Sequence, residues 1–336
     1  MDLETVWFCI VALFFAGYLF LEGFDFGVGM LLPILGRDNT ERRVMINTIG
    51  PVWDGNEVWI IVAAGAMFAA FPAWYAGLFS AVYLPLLLVL LALIGRGVAF
   101  EYRGKVDSVR WRRNWDRVIM IGSWIPPFGV GLLLSTSVLG LPLDADGDRV
   151  GTAFESVRWD TVLGGLAVVG FSLVHGAAFL ALKTDGDIRQ RARRLAVRIL
   201  PFALLPVVAL MLLVQWREGS AWTLVPLAVS AAAAFVAWWR LSLGREGQGF
   251  AALGVVIVSA AVVLFGALYP DVLPSTLDAA NSLTVDNASS SPYTLTIMSW
   301  VALFGAPAVL VYQGWTYWVF RRRIGTQHIP KVHVPR

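Results

Sequence analysis

Residues 41–60, ERRVMINTIGPVWDGNEVWI, decide how this chain is read, because they place Asp54, Asn56 and Glu57 inside an apolar run that must otherwise cross a membrane. An ionised side chain at the bilayer centre costs roughly 2.5 to 3.5 kcal/mol on insertion scales, so it is normally paired, protonated or functional. A second acidic pair, Glu22 and Asp25 in LEGFDFGVGM, lies in the preceding apolar run. The two sites are expected to face each other across a short hairpin.

Working outward, the 336 residues are 58% apolar and only 15% charged, against roughly 25% charged in an ordinary soluble domain. The chain therefore reads as an all-α integral membrane protein. The single cysteine, Cys9, excludes an internal disulfide and a thiolate metal site built from this chain. Of three histidines, His328 and His333 fall in the polar tail and His175 alone lies in an apolar segment, which argues against a haem held by two histidines of this chain. The opening MDLETVWF has neither a basic n-region nor a small-residue cleavage site, so the first segment reads as a retained anchor.

Stretches near the ~20 residues needed to span a bilayer occur at 6–32, 45–71, 77–95, 118–140, 161–182, 196–214, 222–239, 249–269 and 294–320. That predicts about nine transmembrane helices. With the N-terminus outside, every Lys and Arg except Arg149, Arg158 and Arg217 falls on the inner side, and the C-terminus is inside as well. The basic loops are thus a topology signal and a contact for anionic lipid rather than a nucleic-acid surface. The outer loops are acidic or polar. Asp144, Asp146 and Asp148 have the alternation of a calcium loop, but Glu155 stands one place past the twelfth position, so a solvated loop is expected.

In this topology Asp25 and Asp54 sit at similar depth in the inner half of the membrane, roughly 10 to 15 Å from the surface at 1.5 Å per residue. Glu22 and Asp25 are three apart, as are Asp54 and Glu57, and as are Trp53 and Asn56; each pair shares a helix face. Gly17, Gly23, Gly27 and Gly29 keep one side of the first helix small. Gly50 and Pro51 are expected to loosen the second helix one turn before Asp54. Such carboxylates can hold and pass protons along a path opening to the inner face, or fasten two helices as structural groups. Arg96, near the end of the third helix with Glu101, either reaches this cluster or extends to lipid phosphate. His175 reads as a packing histidine, and the many tryptophans as an interfacial belt.

The motifs GFDFGVGML, GRDNTERRVMINTIGPVWDGNEVW, FEYRGK, RWRRNWD and GSWIPPFGVG follow one another over the first 140 or so residues, and YTLTIMSWVALFGAPAVLVYQGWTYWVF closes the apolar region. Together they resemble subunit II of cytochrome bd-type quinol oxidases. The resemblance implies two four-helix bundles plus one peripheral helix. Residues 1–140 would form the first bundle with the polar cluster, 141–160 an outer loop, 161–320 the second bundle and last helix, and 321–336 a cytoplasmic tail. It also implies a bacterial cell membrane and a partner, subunit I, that carries two b haems and one d haem and oxidises quinol, with no haem in this chain; small accessory subunits, quinone and lipid are further partners to expect. By motif, Asp54 and Asp25 match acidic positions of the family, with Asp54 the leading candidate for proton delivery. Glu22 and Glu57 complete that path, Trp53, Asn56, Arg96 and Glu101 support it, and Trp59 matches a tryptophan near a hydrophobic oxygen route.

The leading reading is therefore a haem-free oxidase subunit that supports subunit I and conducts protons toward oxygen reduction. A proton-coupled transporter and a purely structural scaffold are the alternatives. A transporter usually shows inverted repeats and broken helices, and no clear internal repeat is found.

Overall fold

The computed structural model describes residues 2–152 and 154–329; Lys331, His333 and Arg336 of the tail lie outside them. The helices are α1 (Leu3–Leu35), α2 (Asn39–Ile49), α3 (Trp53–Ala70), α4 (Pro72–Ala81), α5 (Tyr83–Tyr102), α6 (Val109–Leu139), α7 (Trp159–Lys183), α8 (Gly186–Ala203), α9 (Leu205–Arg217), α10 (Leu224–Ser242), α11 (Glu246–Leu268) and α12 (Pro292–Val319). Among the described residues eight spans are long and apolar enough to cross a membrane, with α8 and α9 counted as one. The ninth expected span, 45–71, is not among them. Gly50, Pro51 and Val52 divide it into α2 and α3, and three polar residues open α3. Pro51 has no N–H to continue the ladder, so the loosening expected there becomes a full break. Asp54 consequently lies in the first turn of α3, where the helix dipole favours a negative charge.

Helix α7 is the hub. It packs on α1 and α6 on one side and on α8, α9 and α11 on the other, while α1 also meets α3, and α5 packs on α6. Side chains between lipid-soluble helices gain little from the hydrophobic effect, so close backbone approach has to supply the packing energy. Glycines provide it. A Cβ at Gly27 of α1 would press on the backbone of Ser172 and Gly176 in α7, and one at Gly131 of α6 would press on Gly164 and Gly165. Helix α12 stands apart, with Leu295 its one buried residue among those described, and is tied on by side chains. Trp7 donates to the Leu295 carbonyl at 3.3 Å and to Ser299 at 3.1 Å.

The two ends of the assembly differ. At one end the 140–158 and 269–291 connections interlock: Leu141 N–H donates to the Pro274 carbonyl at 3.0 Å, and β1 (Asp271–Leu273) pairs antiparallel with β2 (Leu283–Thr284). There Asp144 accepts from the amides of Asp146 and Asp148, which fixes its loop as a turn. The opposite end is basic. Asp116 takes Arg42 at 2.9 Å and Arg103 at 2.5 Å, and Glu246 takes Arg189 at 2.9 Å and Arg323 at 3.7 Å.

Gly176→Ala should lower the thermal midpoint of the detergent-purified protein, because the added methyl meets the backbone of Gly27 and Val28; a loss of about 1–3 kcal/mol is expected for such overpacking. Gly305→Ala, with open space around it in this chain, should leave the midpoint unchanged. Equal midpoints for the two variants would contradict the packing described.

Candidate functional site

Near the basic end, α1, α3, α5 and α12 enclose a polar cluster. Arg96 lies six residues before the end of α5, which at 1.5 Å per residue puts it roughly 9 Å inside. Its side chain is 0% exposed and pairs with Glu22 of α1, also 0% exposed. A second carboxylate, Glu57 of α3, stands 3.8 Å from the same guanidinium with its side chain 18% exposed. The guanidinium lies over the rings of Phe26 (4.8 Å) and Phe100 (5.1 Å), which hold the cation by their π faces. Of the two destinations open to Arg96, the acidic cluster is the one observed.

Asp25, three residues after Glu22 and fully buried with it, accepts a 2.6 Å hydrogen bond from the Asn56 amide. The Asn56 carbonyl accepts from Tyr317 at 2.7 Å and Gln313 at 3.2 Å, both on α12. Gln313 in turn accepts from the Trp59 indole at 2.8 Å. Trp59 covers Gly17 and meets Phe14 edge-on at 6.1 Å. Trp53 packs on Phe100 at 5.2 Å and supports the α3–α5 contact from the other side. Tyr18 Oη, Glu22 Oε2, Asp25 Oδ1, and Arg96 Nε and Nη2 are buried with no partner among the described residues. Leftover donors and acceptors beside a buried ion pair are unusual in a native interior.

Two expectations need correction. Asp54 does not face Glu22 and Asp25: it is exposed, and Asn56 occupies the place opposite Asp25. Residues two apart on a helix point roughly 200° apart at 3.6 residues per turn, so turning Asn56 inward turns Asp54 outward. Glu101 is exposed too and takes no part in the cluster; five residues beyond Arg96, it lies on another face near the helix end. His175 is fully buried, with Nε2 at 3.0 Å from the Phe20 carbonyl and its ring stacked on Phe250 at 4.4 Å and Phe171 at 4.8 Å. Its Nδ1 is buried with no partner among the described residues.

Sequence reasoning missed Gln313, Tyr317 and Tyr18. The signal was available for Gln313, an amide in an otherwise apolar span, by the rule that singled out the carboxylates. Tyrosines near helix ends are ordinary interfacial residues, so Tyr317 carried no such mark.

The chain matches, over residues 3–320, the family described as cytochrome bd terminal oxidase subunit II. It is 44% identical over 330 residues to the cytochrome bd ubiquinol oxidase subunit 2 of Bacillus subtilis (strain 168), covering 96% of this chain and 97% of that protein. It is 35% identical over 367 residues to the cytochrome bd-I ubiquinol oxidase subunit 2 of Escherichia coli (strain K12), covering 98% and 97%. The fold is similar to that of a chain in the structure of bd oxidase from Geobacillus thermodenitrificans, with a TM-score of 0.74 and 19% identity over 95% of this chain and 97% of that one.

Arg96→Gln strands Glu22 as an unpaired buried carboxylate and should cost about 3–5 kcal/mol of stability, whereas removing both charges together is far milder. In a cycle with Glu22→Gln, the double variant should therefore melt well above the value that adding the two single losses gives. Simple additivity, as for independent sites, would contradict a direct Arg96–Glu22 pair.

Proposed function

The chain belongs to the cytochrome bd terminal oxidase subunit II family, and from that membership we propose that it is the haem-free subunit of a bacterial membrane quinol:oxygen oxidoreductase, supporting subunit I and exchanging protons with it. The haems, two b and one d, belong in this reading to subunit I, which also oxidises the quinol. The residues of this chain support that division: His175, the histidine of the membrane-spanning segments, is packed among Phe20, Phe24, Phe171 and Phe250, and a single histidine cannot supply a two-histidine haem site.

The observation that carries the proton role is charge balance. One fully buried guanidinium faces two fully buried carboxylates, with Glu57 at the margin. A net buried charge is far more costly than a bound proton, so the cluster holds a proton that its members share. Glu57 is the port, since of the three acids around Arg96 it alone reaches the surface. Asp54, three residues earlier on the exposed side of α3, receives or supplies that proton where subunit I packs. Arg96 does not move: it keeps Glu22 and Glu57 within reach of one guanidinium, and Asn56, held by Tyr317 and Gln313, keeps Asp25 beside them. The Trp59 ring, seated on Gly17 and Phe14, lines an apolar seam suited to an oxygen route. The basic end becomes the cytoplasmic face, on the distribution of Lys and Arg.

Asp25→Asn and Glu57→Gln keep shape but cannot titrate. Each should lower quinol-driven oxygen consumption of the purified complex by roughly tenfold or more, with the KM for quinol and the haem spectrum unchanged. Asp54→Asn should act in the same direction. Full turnover in all three variants, at normal haem content, would make the chain a scaffold.

A further inference from the structure

A cavity of about 210 Å³ at the basic end, between the last turn of α1 and the middle of α8, is lined by Arg191, Arg194 and Arg198 together with Ile34, Leu35 and Leu195. We propose that it is a binding site for the phosphodiester headgroup of an anionic phospholipid, a role independent of the proton cluster.

The three arginines are spaced by three and four residues and so share one face of α8. Arg191 is only 12% exposed. Its Nη2 donates to the Leu35 carbonyl at 2.9 Å and to Glu41 at 2.7 Å. Its Nε and Nη1 are buried without a partner among the described residues, a costly state for a guanidinium unless an acceptor arrives. Arg194 and Arg198, both exposed, have no carboxylate partner among the described residues. The local charge is thus three arginines against Glu41. The helix dipole acts only over the terminal turns and so gives no reason for three arginines along the middle of α8. An anion does. Guanidinium N–H groups donate short, charge-assisted hydrogen bonds to phosphate oxygens.

A lipid is favoured over a free anion by the other half of the lining. Ile34, 61% exposed, and Leu195 lie beside the arginines at the end of a membrane-crossing helix, where an acyl chain would descend along them. Basic pockets between helices at this level are suited to anionic headgroups.

The test uses the complete complex, stripped of lipid in detergent and titrated with phosphatidylglycerol or phosphatidylcholine under native mass spectrometry. Phosphatidylglycerol should bind in preference. The exposed double variant Arg194→Gln/Arg198→Gln should weaken that binding by roughly tenfold or more without changing the thermal midpoint. Arg191→Lys, which keeps a charge beside Glu41 but loses the two unpartnered guanidinium donors, should also weaken it. Inorganic phosphate in large excess should not displace the lipid. Equal binding by wild type and both variants, no preference over phosphatidylcholine, or displacement by phosphate alone would each overturn the proposal.

Discussion

The buried pairing of Arg96 with Glu22 is the constraint from which the first half of the molecule follows. Taking either charge out of water costs several kcal/mol, and only close opposite charge and further hydrogen bonds offset that. The partners come from different helices, so the pair fixes the depth of α5 relative to α1 while α5 itself packs on α6. Gly122 of α6 lets the Arg96 backbone approach, since a Cβ there would press on the Ala92 carbonyl and the Arg96 side chain. Phe26 and Phe100 close over the guanidinium and Trp53 locks Phe100 in turn. Helix α12, otherwise almost free of the body, is fixed at this depth by Tyr317 and Gln313.

The stoichiometry of the charge networks differs between the ends of the molecule and its interior. In three networks at the ends, two arginines share one acid: Arg42 and Arg103 on Asp116, Arg189 and Arg323 on Glu246, Arg158 and Arg217 on Asp160. Such acids fasten elements together. Inside the membrane the ratio inverts, with one arginine facing Glu22 and Glu57 while Asp25 stands alongside. An excess of carboxylates over cations is what lets a group of side chains take up and release a proton without unbinding from one another.

Much of this was legible in the sequence because hydrocarbon imposes strong rules. Length and hydropathy mark the spans, and a carboxylate within one is conspicuous, so Glu22, Asp25, Glu57 and Arg96 could be singled out before any coordinates. What could not be read was the azimuth of α3. The break at Gly50–Pro51 resets the helix phase, and only packing decides whether Asp54 or Asn56 turns inward. The same holds for the cavity beside Arg191. A run of arginines reads as a topology signal, and the unpartnered guanidinium donors of Arg191 emerge only once α8 is laid against the end of α1.

The central claim is that the Glu22–Asp25–Arg96–Glu57 cluster holds an exchangeable proton. It is tested most directly by the infrared difference spectrum of the complex between its oxidised and reduced states, in the region of protonated carboxyl groups. The account predicts a carboxyl band that shifts in D2O and is lost or altered in the Asp25→Asn and Glu22→Gln variants. A spectrum with no such band, or one that both variants leave unchanged, would contradict it.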